Sequence, residues 1–412
     1  MPHAALLLKP GKERSLARRH PWVYAAAVAR IEGGGRDLEP GALVAVRASD
    51  RRFLAWAAYS PSSTLRARCW SFDESERIDE AWLCARVARA VARRAHLRAA
   101  SDALRLVYGE ADGLPGFVAD QYGDHLVVQI QSAGVDRHRE VLIDALCAAA
   151  GCGNVFDRSD PALREREGLA GGGGVLRGKA PPALVRVREH GVDFQVDVRR
   201  GHKTGFYIDQ RDNRHAAAQL VRSLRQRLGR APRILNCFCY TGGFSIAAAA
   251  TGAALVDSVD SSPDALALAR SNAELNANGA DNGTEIRLQW HCADVFEHLR
   301  ALREQQAHYD LIVLDPPKFA TNQHQVERAA RAYKDINLSA LRVMEHRGWL
   351  MTFSCSGAID ADLFQKIVAG AVFDAGVDCF LRGRLGAGAD HPVLMTHPEG
   401  EYLKGLLLER VD

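Results

Sequence analysis

Three segments of the sequence carry residue types that could act together in one reaction. A glycine turn, Tyr240-Thr241-Gly242-Gly243-Phe244, follows an apolar run. Asp315-Pro316-Pro317-Lys318-Phe319 and Phe353-Ser354-Cys355-Ser356-Gly357 each follow another apolar run. A glycine turn lets the backbone approach a nucleoside cofactor closely, and a thiol can act as a covalent nucleophile. The three segments together suggest covalent methyl transfer to a pyrimidine carbon.

The thiol of Cys355 is the group that this chemistry needs most. Carbon 5 of a pyrimidine is not nucleophilic enough to attack a sulfonium methyl group by itself. Addition of a thiolate at carbon 6 makes carbon 5 enamine-like, so that methyl transfer can follow. Asp315 could hold the base through its amine or N3, and Lys318 could favour the thiolate of a thiol whose pKa is ordinarily ~8.5. The alternative is a buried strand-end cysteine beside a simple proline turn.

The glycine turn is predicted to bind the cofactor. Residues 233–239 form an apolar strand that runs into Gly242, and an alanine-rich helix follows. Ligands of a doubly wound sheet bind at the carboxyl ends of its strands. The spacing is not GxGxxG, which counts against a dinucleotide. Two prolines also stiffen the Asp315 loop, since proline fixes its own φ angle.

Acidic residues follow the next two predicted strands. Asp260 lies 18 residues beyond Gly242, and a carboxylate there can accept both ribose hydroxyls of a nucleoside. Asp294 could accept from an adenine amine, with Val295 and Phe296 packed near the ring. The alternative reading is that Asp260 and Asp294 only cap helices.

Length and composition limit the class of protein. A chain of 412 residues with 25% charged and 47% apolar residues is expected to be globular, with two or three domains. The only apolar run near the amino terminus, residues 4–8, is too short for a signal peptide or a membrane span, so we expect a cytoplasmic protein. Nine cysteines without a CxxC pair predict neither a zinc site nor disulfides.

Positive charge is concentrated in the first hundred residues. They hold 18 Lys and Arg against 10 Asp and Glu, whereas the whole chain has a net charge of only +3. A basic segment on a nearly neutral body suggests an anionic partner, most simply nucleic acid. The alternative is a solvated surface in an arginine-rich chain.

The pattern of elements changes twice along the chain. Residues 1–76 show short strands, including 42–47 and 53–59, and predict a small β-barrel. Residues 77–188 predict a linker helix at 79–98 and a small α+β domain of the order strand-strand-helix-strand-strand. Residues 189–412 alternate strand and helix, which predicts an α/β, doubly wound and mostly parallel sheet.

Seven strands are predicted in that last segment. They are 233–239, 255–259, 286–290, 310–314, 349–353, 378–382 and 402–409. Helices are expected at 263–278, 326–346 and 360–375. Ser262 can cap the first of these helices, Pro263 fits its first turn, and Gly279 can end it.

These motifs, in this order, resemble the SAM-dependent ribosomal large-subunit RNA cytosine-5 methyltransferase I family, the bacterial 23S rRNA enzymes. The resemblance covers essentially the whole chain. Its further motifs are Arg19–Tyr24, Tyr59–Ser63, Gly109–Gly116, Thr204–Arg214, Asp390-His391-Pro392 and Tyr402-Leu403-Lys404. The resemblance implies an amino-terminal PUA-type barrel, the small α+β domain and a Rossmann-like methyltransferase domain, with S-adenosylmethionine (SAM) as methyl donor.

The resemblance also implies roles for individual residues. Cys355 would be the nucleophile, with Asp315 and Lys318 beside it. The cofactor would lie near Phe206, Gln210, Arg211, Asn236, Phe238, Tyr240, Thr241, Gly242, Gly243, Asp260, Ser261, Asp294, Val295 and Asp315. The barrel would grip 23S rRNA, or a large-subunit assembly intermediate, through phosphate contacts from Lys12, Arg18, Arg19, Arg66 and Arg68.

The sequence departs from related enzymes at one position of the proline loop. Many other RNA cytosine-5 methyltransferases carry a second cysteine where this chain has Lys318. The sequence does not identify the base that removes the carbon-5 proton.

Three other functions are compatible with the sequence. A guanine-N7 RNA methyltransferase would need no thiol. A non-catalytic RNA-binding protein would not need the glycine turn or the acids, and a small-molecule methyltransferase would leave the basic first hundred residues unexplained.

Overall fold

The chain forms two compact units. A computed structural model describes residues 4–33, 38–277, 287–320 and 322–411. The first unit runs to Val187 and also includes Val196–Ile208 and Asp390–Gly400. The second comprises Arg188–Gln195, Asp209–Ala389 and the residues from Glu401 onward. The units interleave along the chain, whereas the boundary expected from the sequence is a single break after residue 188.

The first unit begins with a six-stranded, mostly antiparallel sheet. Its strands are β1 (Ala5–Leu8), β2 (Trp22–Tyr24), β3 (Val28–Glu32), β4 (Leu43–Arg47), β5 (Phe53–Tyr59) and β6 (Leu65–Ser71), with the short helix α1 at Arg14–Ala17. The strand order is β2-β6-β5-β4-β1-β3, and only β1 and β4 pair in parallel. Leu6, Val44, Val46 and Ala57 lie in its core. The predicted strands at 42–47 and 53–59 are confirmed.

The rest of the first unit is a five-stranded sheet with helices. Its helices are α2 (Glu80–Arg93), α3 (Ala133–Arg137), α4 (Arg139–Ala150) and α5 (Pro161–Arg166). Its strands are β7 (Ala103–Tyr108), β8 (Phe117–Tyr122), β9 (His125–Ile130), β10 (Val155–Asp157) and β11 (Gly174–Arg177), in the order β11-β10-β9-β8-β7. Asp79 caps α2 by accepting from the backbone N–H of Trp82 at 3.0 Å. Leu83 and Val87 of α2 pack with Leu142 of α4 in the core.

Strand β8 corrects the predicted order of elements in this part of the chain. The sequence indicated two strands before the helix, but the structure has three. The missed strand carries Asp120, which is fully buried and accepts two hydrogen bonds from Arg105 of β7, at 2.7 and 2.8 Å. A charged pair that is satisfied inside the sheet breaks the apolar pattern by which a strand is recognised in sequence.

Asp390 explains why a late segment of the chain belongs to the first unit. Its side chain is fully buried and accepts from the backbone N–H of Arg105 at 2.9 Å. Its carbonyl oxygen accepts from the guanidinium of Arg94 at 3.1 Å. The Asp390-His391-Pro392 motif therefore anchors residues 390–400 to α2 and β7.

Two strands lie where the division between the units passes. They are β12 (Val185–Glu189) and β13 (Val192–Val196), and both alternate buried with less buried residues. This period of two is the pattern of a strand with one packed face.

The second unit is built on a seven-stranded sheet, as predicted. Its strands are β14 (Arg233–Cys237), β15 (Leu255–Asp260), β16 (Arg287–Cys292), β17 (Tyr309–Leu314), β18 (Met344–Ser354), β19 (Cys379–Gly386) and β20 (Lys404–Arg410). The order is β16-β15-β14-β17-β18-β20-β19. The first five are parallel, and β20 runs antiparallel to both neighbours. The mostly parallel, doubly wound α/β fold is confirmed.

Helices cover both faces of this sheet. They are α6 (Arg211–Leu228), α7 (Gly243–Ala249), α8 (Pro263–Leu275), α9 (Val295–Glu304), α10 (Val326–Arg342) and α11 (Ala361–Ala375). In β17, Leu311 and Val313 pack with α6 and α7, whereas Ile312 and Leu314 pack with α9, α10 and α11. Successive side chains of a strand point to opposite faces, so each strand contributes to two cores.

The boundaries of two helices test the predicted start and stop signals. Ser262 caps α8 by accepting from the N–H of Ala265 at 3.2 Å, and Pro263 lies in the first turn, as predicted. Helix α8 ends at Leu275, and the predicted stop at Gly279 lies outside the described residues. Helix α10 ends earlier than predicted because β18 already begins at Met344.

No helix in the described ranges has the length and apolarity that a membrane crossing needs.

A buried ion pair within the second unit should make a large contribution to its stability. Glu189 accepts from Nε and a terminal nitrogen of Arg214 in α6 at 2.7 and 2.6 Å, and both side chains are 3% exposed. Removing one partner leaves the other charge buried and uncompensated, which costs about 3–5 kcal/mol. We expect Arg214→Met to lower by that amount the free energy of opening α6, measured by native-state hydrogen exchange.

The control is Arg222→Met, which removes an exposed arginine from the same helix. It should change the free energy of opening by less than about 0.5 kcal/mol. The double variant Glu189→Met with Arg214→Met should recover much of the loss, because no buried charge then remains. A double variant as unstable as Arg214→Met would contradict this account.

Candidate functional site

The predicted site residues follow strands that are adjacent and parallel. The glycine turn follows β14, Asp315 follows β17, and Cys355 follows β18, in a sheet where β17 lies between the other two. All three therefore lie at the same edge of the sheet. The strand order also reverses between β14 and β17, and such a switch point is where open α/β sheets bind ligands.

The turn after β14 has an unusual backbone. Phe238, Tyr240 and Gly242 have φ angles of 59°, 49° and 82°, so three of five consecutive residues are left-handed. This conformation is costly for Phe238 and Tyr240 and is typical of functional sites. At Gly242 a Cβ atom would lie 2.8 Å from Trp290, so space and φ both require glycine. Gly243 then begins α7.

Asp260 fastens this turn to the end of β15. Its two carboxylate oxygens accept from the backbone N–H groups of Tyr240 and Ser262, each at 2.9 Å. Ser261, between these partners in sequence, is exposed. The alternative that Asp260 only caps a helix is not realised, because Ser262 is the residue that caps α8. Each carboxylate oxygen has a second lone pair, so the same group can still accept a hydroxyl of a ligand.

Asn236, near the end of β14, helps to hold the turn that follows this strand. Its Nδ2 donates to Ser245 of α7 at 2.8 Å, and the Ser245 and Ser258 hydroxyls are hydrogen-bonded at 2.8 Å. Strand β14, helix α7 and strand β15 are thereby tied together. Asn236 and Ser245 are almost fully buried, so their first role is to hold the turn in place.

Three buried polar atoms near the predicted cofactor residues have no hydrogen-bond partner within the described part of the chain. They are Oδ1 of Asn236, Oγ1 of Thr241 and Nε2 of Gln210. Buried polar atoms are nearly always satisfied, so the acceptor, the hydroxyl and the donor at these three positions leave hydrogen-bonding capacity for a ligand. A nucleoside with its hydroxyl and amine groups has the matching chemistry.

The other predicted cofactor residues have identifiable structural contacts. Asp294 is exposed and caps α9, accepting from the N–H of Glu297 at 3.1 Å, while Val295 beside it is buried. The capping alternative is thus realised for Asp294. Arg211 is 1% exposed and donates to Asp212 at 3.0 Å. Phe206 is buried in the first unit.

Cys355 lies beside the proline loop. Its sulfur is 3.9 Å from the carbonyl oxygen of Pro316. The side chain is half-buried, like that of Asp315, whereas Lys318 is exposed. Cys237 and Cys239 are buried, and burial raises the pKa of both thiols. The exposure of Cys355 and its position beside the proline loop suit a nucleophile.

A hydrogen-bond network behind Cys355 was not found by sequence reasoning. Tyr333 of α10 contacts the hydroxyls of Ser354 and Ser356, each at 3.0 Å. Ser356 also accepts from the backbone N–H of Ala320, at the end of the proline loop, at 3.2 Å. The network fixes the loop relative to the thiol. Tyr333 gave no sequence signal, because it reads as one apolar position of a helix.

Lys404 is a second residue that the sequence did not single out for the site. Its Nζ donates to the carbonyl oxygen of Ser356 at 2.9 Å, and it pairs with Ser354 in the register of β18 and β20. Its one sequence signal was the Tyr402-Leu403-Lys404 motif, which places a cation at the start of an apolar strand.

The predicted RNA-binding residues differ in their exposure. Lys12, Arg18 and Arg19 are exposed on either side of α1. Arg66 is half-buried and donates to the carbonyl oxygen of Pro61. Arg68 instead makes two hydrogen bonds to Glu167, at 2.7 and 2.8 Å, and its side chain is only 11% exposed. The guanidinium of Arg68 is thus engaged within the fold, and a contact from this residue to RNA stays a prediction.

Metal ligands are not gathered at the site. Among the residues that the structure describes, no three or more His, Cys, Asp or Glu side chains are placed to hold a metal ion.

Comparisons with known proteins identify two family domains in the chain. A PUA-like domain family matches residues 6–72, and the S-adenosylmethionine-dependent methyltransferase family matches residues 174–372. In fold, the chain is similar to a putative SAM-dependent methyltransferase from Streptococcus mutans, with a TM-score of 0.79, 19% identity, and coverage of 98% of this chain and 99% of that one. A putative methyltransferase complexed with SAH gives a TM-score of 0.80, 20% identity and the same coverage.

Curated relatives match nearly the whole chain. Ribosomal RNA large subunit methyltransferase I from Salmonella arizonae is 44% identical over 402 residues, which cover 97% of this chain and 96% of that protein. The protein of the same name from Escherichia coli strain K12 is 44% identical, with 97% and 98% covered. SAM is accordingly the cofactor of this chain. With this identity over this length, the chain belongs to the ribosomal RNA large subunit methyltransferase I family.

Proposed function

We propose that this chain transfers a methyl group from SAM to carbon 5 of a cytosine in large-subunit rRNA, through a covalent bond between Cys355 and carbon 6. The observation that supports this most is the half-buried thiol beside the Asp315-Pro316-Pro317 loop. That loop follows β17, the strand next to the one that leads into the cofactor turn. The substrate class comes from the curated relatives, whose names describe ribosomal RNA large subunit methyltransferases.

The cofactor would be held by the turn after β14 and by the acids that follow β15 and β16. Asp260 would accept from ribose hydroxyls, and Asp294 from the adenine amine. The unpartnered polar atoms of Asn236, Thr241 and Gln210 would complete the contacts. When bound there, SAM supplies an electrophilic methyl group on a sulfonium centre.

The protein's own groups would act on the base. The thiolate of Cys355 adds to carbon 6, and the electron pair this releases makes carbon 5 nucleophilic. Asp315 holds the base by a hydrogen bond to its amine or N3. After methylation, loss of the carbon-5 proton breaks the carbon–sulfur bond and returns the thiolate. The target base must be unpaired or extruded from its stack to reach the thiol.

A guanine-N7 methyltransferase is the closest alternative. It needs neither a nucleophilic thiol nor a rigid proline loop beside one, because N7 is already nucleophilic. The Tyr333, Ser354 and Ser356 network would then position a cysteine that has no role. The cytosine-5 reaction uses both the thiol and the network.

Removing the thiol should abolish the proposed reaction. We expect Cys355→Ala to form no 5-methylcytidine, with a loss of at least about 1,000-fold, because no covalent activation of carbon 5 remains. The assay is nucleoside mass spectrometry of large-subunit rRNA from cells lacking the corresponding gene, after incubation with enzyme and SAM.

The matched control is Cys84→Ala, which removes an exposed cysteine of the first unit and should retain full activity. A methylated guanosine formed equally by the wild type and by Cys355→Ala would refute the thiol mechanism while leaving the cofactor site unaffected.

Asp260 should contribute directly to SAM affinity. We expect Asp260→Asn to weaken SAM binding about 10- to 100-fold, because a hydrogen bond to a charged group contributes about 1.5–3 kcal/mol. Calorimetric titration measures the change. Asp360→Asn alters a helix-capping aspartate of the same unit, which accepts from Leu363 at 2.8 Å, and should leave affinity unchanged. Equal loss in both variants would indicate a general effect of weakened side-chain-to-backbone hydrogen bonds.

Exposed arginines near α1 should carry phosphate contacts to RNA. We expect the double variant Arg18→Ala with Arg19→Ala to weaken rRNA binding and to reduce the slope of log affinity against log salt by about 1 to 2. Filter binding at several salt concentrations measures the slope. Arg166→Ala removes an exposed arginine elsewhere in the first unit and serves as the control. An unchanged slope in the double variant would place the RNA contacts on another surface.

A further inference from the structure

Lys404 is a buried lysine that has no role in the proposed reaction as described above. It is 7% exposed, and lysine is almost never buried unless it is paired. Its Nζ donates to the carbonyl oxygen of Ser356, the residue after Cys355, at 2.9 Å. Among the residues that the structure describes, no carboxylate lies within ion-pair distance of this ammonium group. A charge is thus held inside the fold without a carboxylate counterion.

The charged groups around Lys404 identify what it faces. Burial lowers the pKa of Lys404, and the negative form of Cys355 is the strongest charge acting in the opposite direction. Glu401 and Asp360 oppose the lowering more weakly, and Lys318 adds to it. Lys404 lies on β20, where it pairs with Ser354 immediately before the thiol. The register and the hydrogen bond to Ser356 thus place Lys404 beside the backbone on both sides of Cys355.

We propose that Lys404 is a positioning residue whose buried ammonium group stabilises the thiolate of Cys355. The thiol loses its proton to solvent, no bond forms between sulfur and nitrogen, and Lys404 stays protonated while the thiolate adds to the base. An opposite charge within about 4–6 Å favours the ionised form of a titratable group, and this effect strengthens where water is excluded. The role of this interaction in catalysis rests on the proposed function, but the interaction between Lys404 and Cys355 does not.

The hydrogen bond to Ser356 has a second consequence for the same site. It holds the carbonyl oxygen of the residue whose hydroxyl binds Tyr333 and the proline loop. If the role of Lys404 were purely structural, this hydrogen bond would be its whole contribution. Such a role requires a donor at this position, whereas stabilisation of the thiolate requires a positive charge. The two can be separated by measuring the thiol itself.

The test is the pH dependence of alkylation of Cys355 in the full chain, without RNA or SAM. Iodoacetamide is applied across a pH series, and peptide mass spectrometry follows the peptide that contains Cys355. In the wild type we expect a midpoint below the ~8.5 of a free thiol. In Lys404→Met we expect the midpoint to rise by about 1 to 3 pH units, with alkylation at pH 7 at least about tenfold slower.

Two variants provide the controls. Lys404→Arg keeps the charge and should keep a midpoint close to that of the wild type. Lys366→Met removes an exposed lysine of the same unit, which pairs with Asp362, and should change nothing. SAM titration and thermal melting of each variant establish that it is folded. The exposed thiol of Cys84 is an internal reference for reagent quality.

The outcomes separate this proposal from the proposed function. A wild-type midpoint at or above that of a free thiol would overturn it, even if every variant failed to fold. An unchanged midpoint in folded Lys404→Met would overturn it as well. A shifted midpoint together with an active Cys355→Ala enzyme would instead retain the Lys404–Cys355 interaction and refute the thiol mechanism.

Discussion

Parallel pairing of β14, β17 and β18 is the constraint on which the rest of the site depends. Because these strands point the same way and lie side by side, the loops that follow them share one edge of the sheet. A cofactor turn, an acid and a thiol that together span more than a hundred residues of the sequence become neighbours. No local interaction could achieve this, and the helices on both faces serve chiefly to keep these strands buried and in register.

Two sets of hydrogen bonds fix the positions of these neighbouring loops relative to one another. Asp260 links the strained turn to the start of α8 through the backbone N–H groups of Tyr240 and Ser262. The Tyr333, Ser354 and Ser356 network holds the proline loop beside the thiol. Strained backbone persists only where its surroundings over-determine it. The same residue can therefore hold a turn and serve a ligand, so the backbone hydrogen bonds of Asp260 do not argue against a role in binding.

The sequence predicted the elements whose signals are local. The seven strands of the sheet in the second unit alternate with helices, and α8 begins with a capping serine and a proline, so both were found. What it could not predict depends on contacts between distant residues. Strand β8 was hidden by the Arg105–Asp120 pair, the burial of Arg68 depends on Glu167, and Lys404 approaches the thiol only because β20 pairs with β18.

The most direct test of the account is to trap the covalent bond between protein and RNA. Large-subunit rRNA transcribed with 5-fluorocytidine in place of cytidine cannot lose a proton from carbon 5, so an adduct formed at carbon 6 should persist after methyl transfer. The account predicts an RNA-linked protein that requires SAM and whose peptide map places the attached nucleotide on Cys355. Efficient methylation of ordinary rRNA with no trapped adduct, or with an adduct on another cysteine, would contradict it.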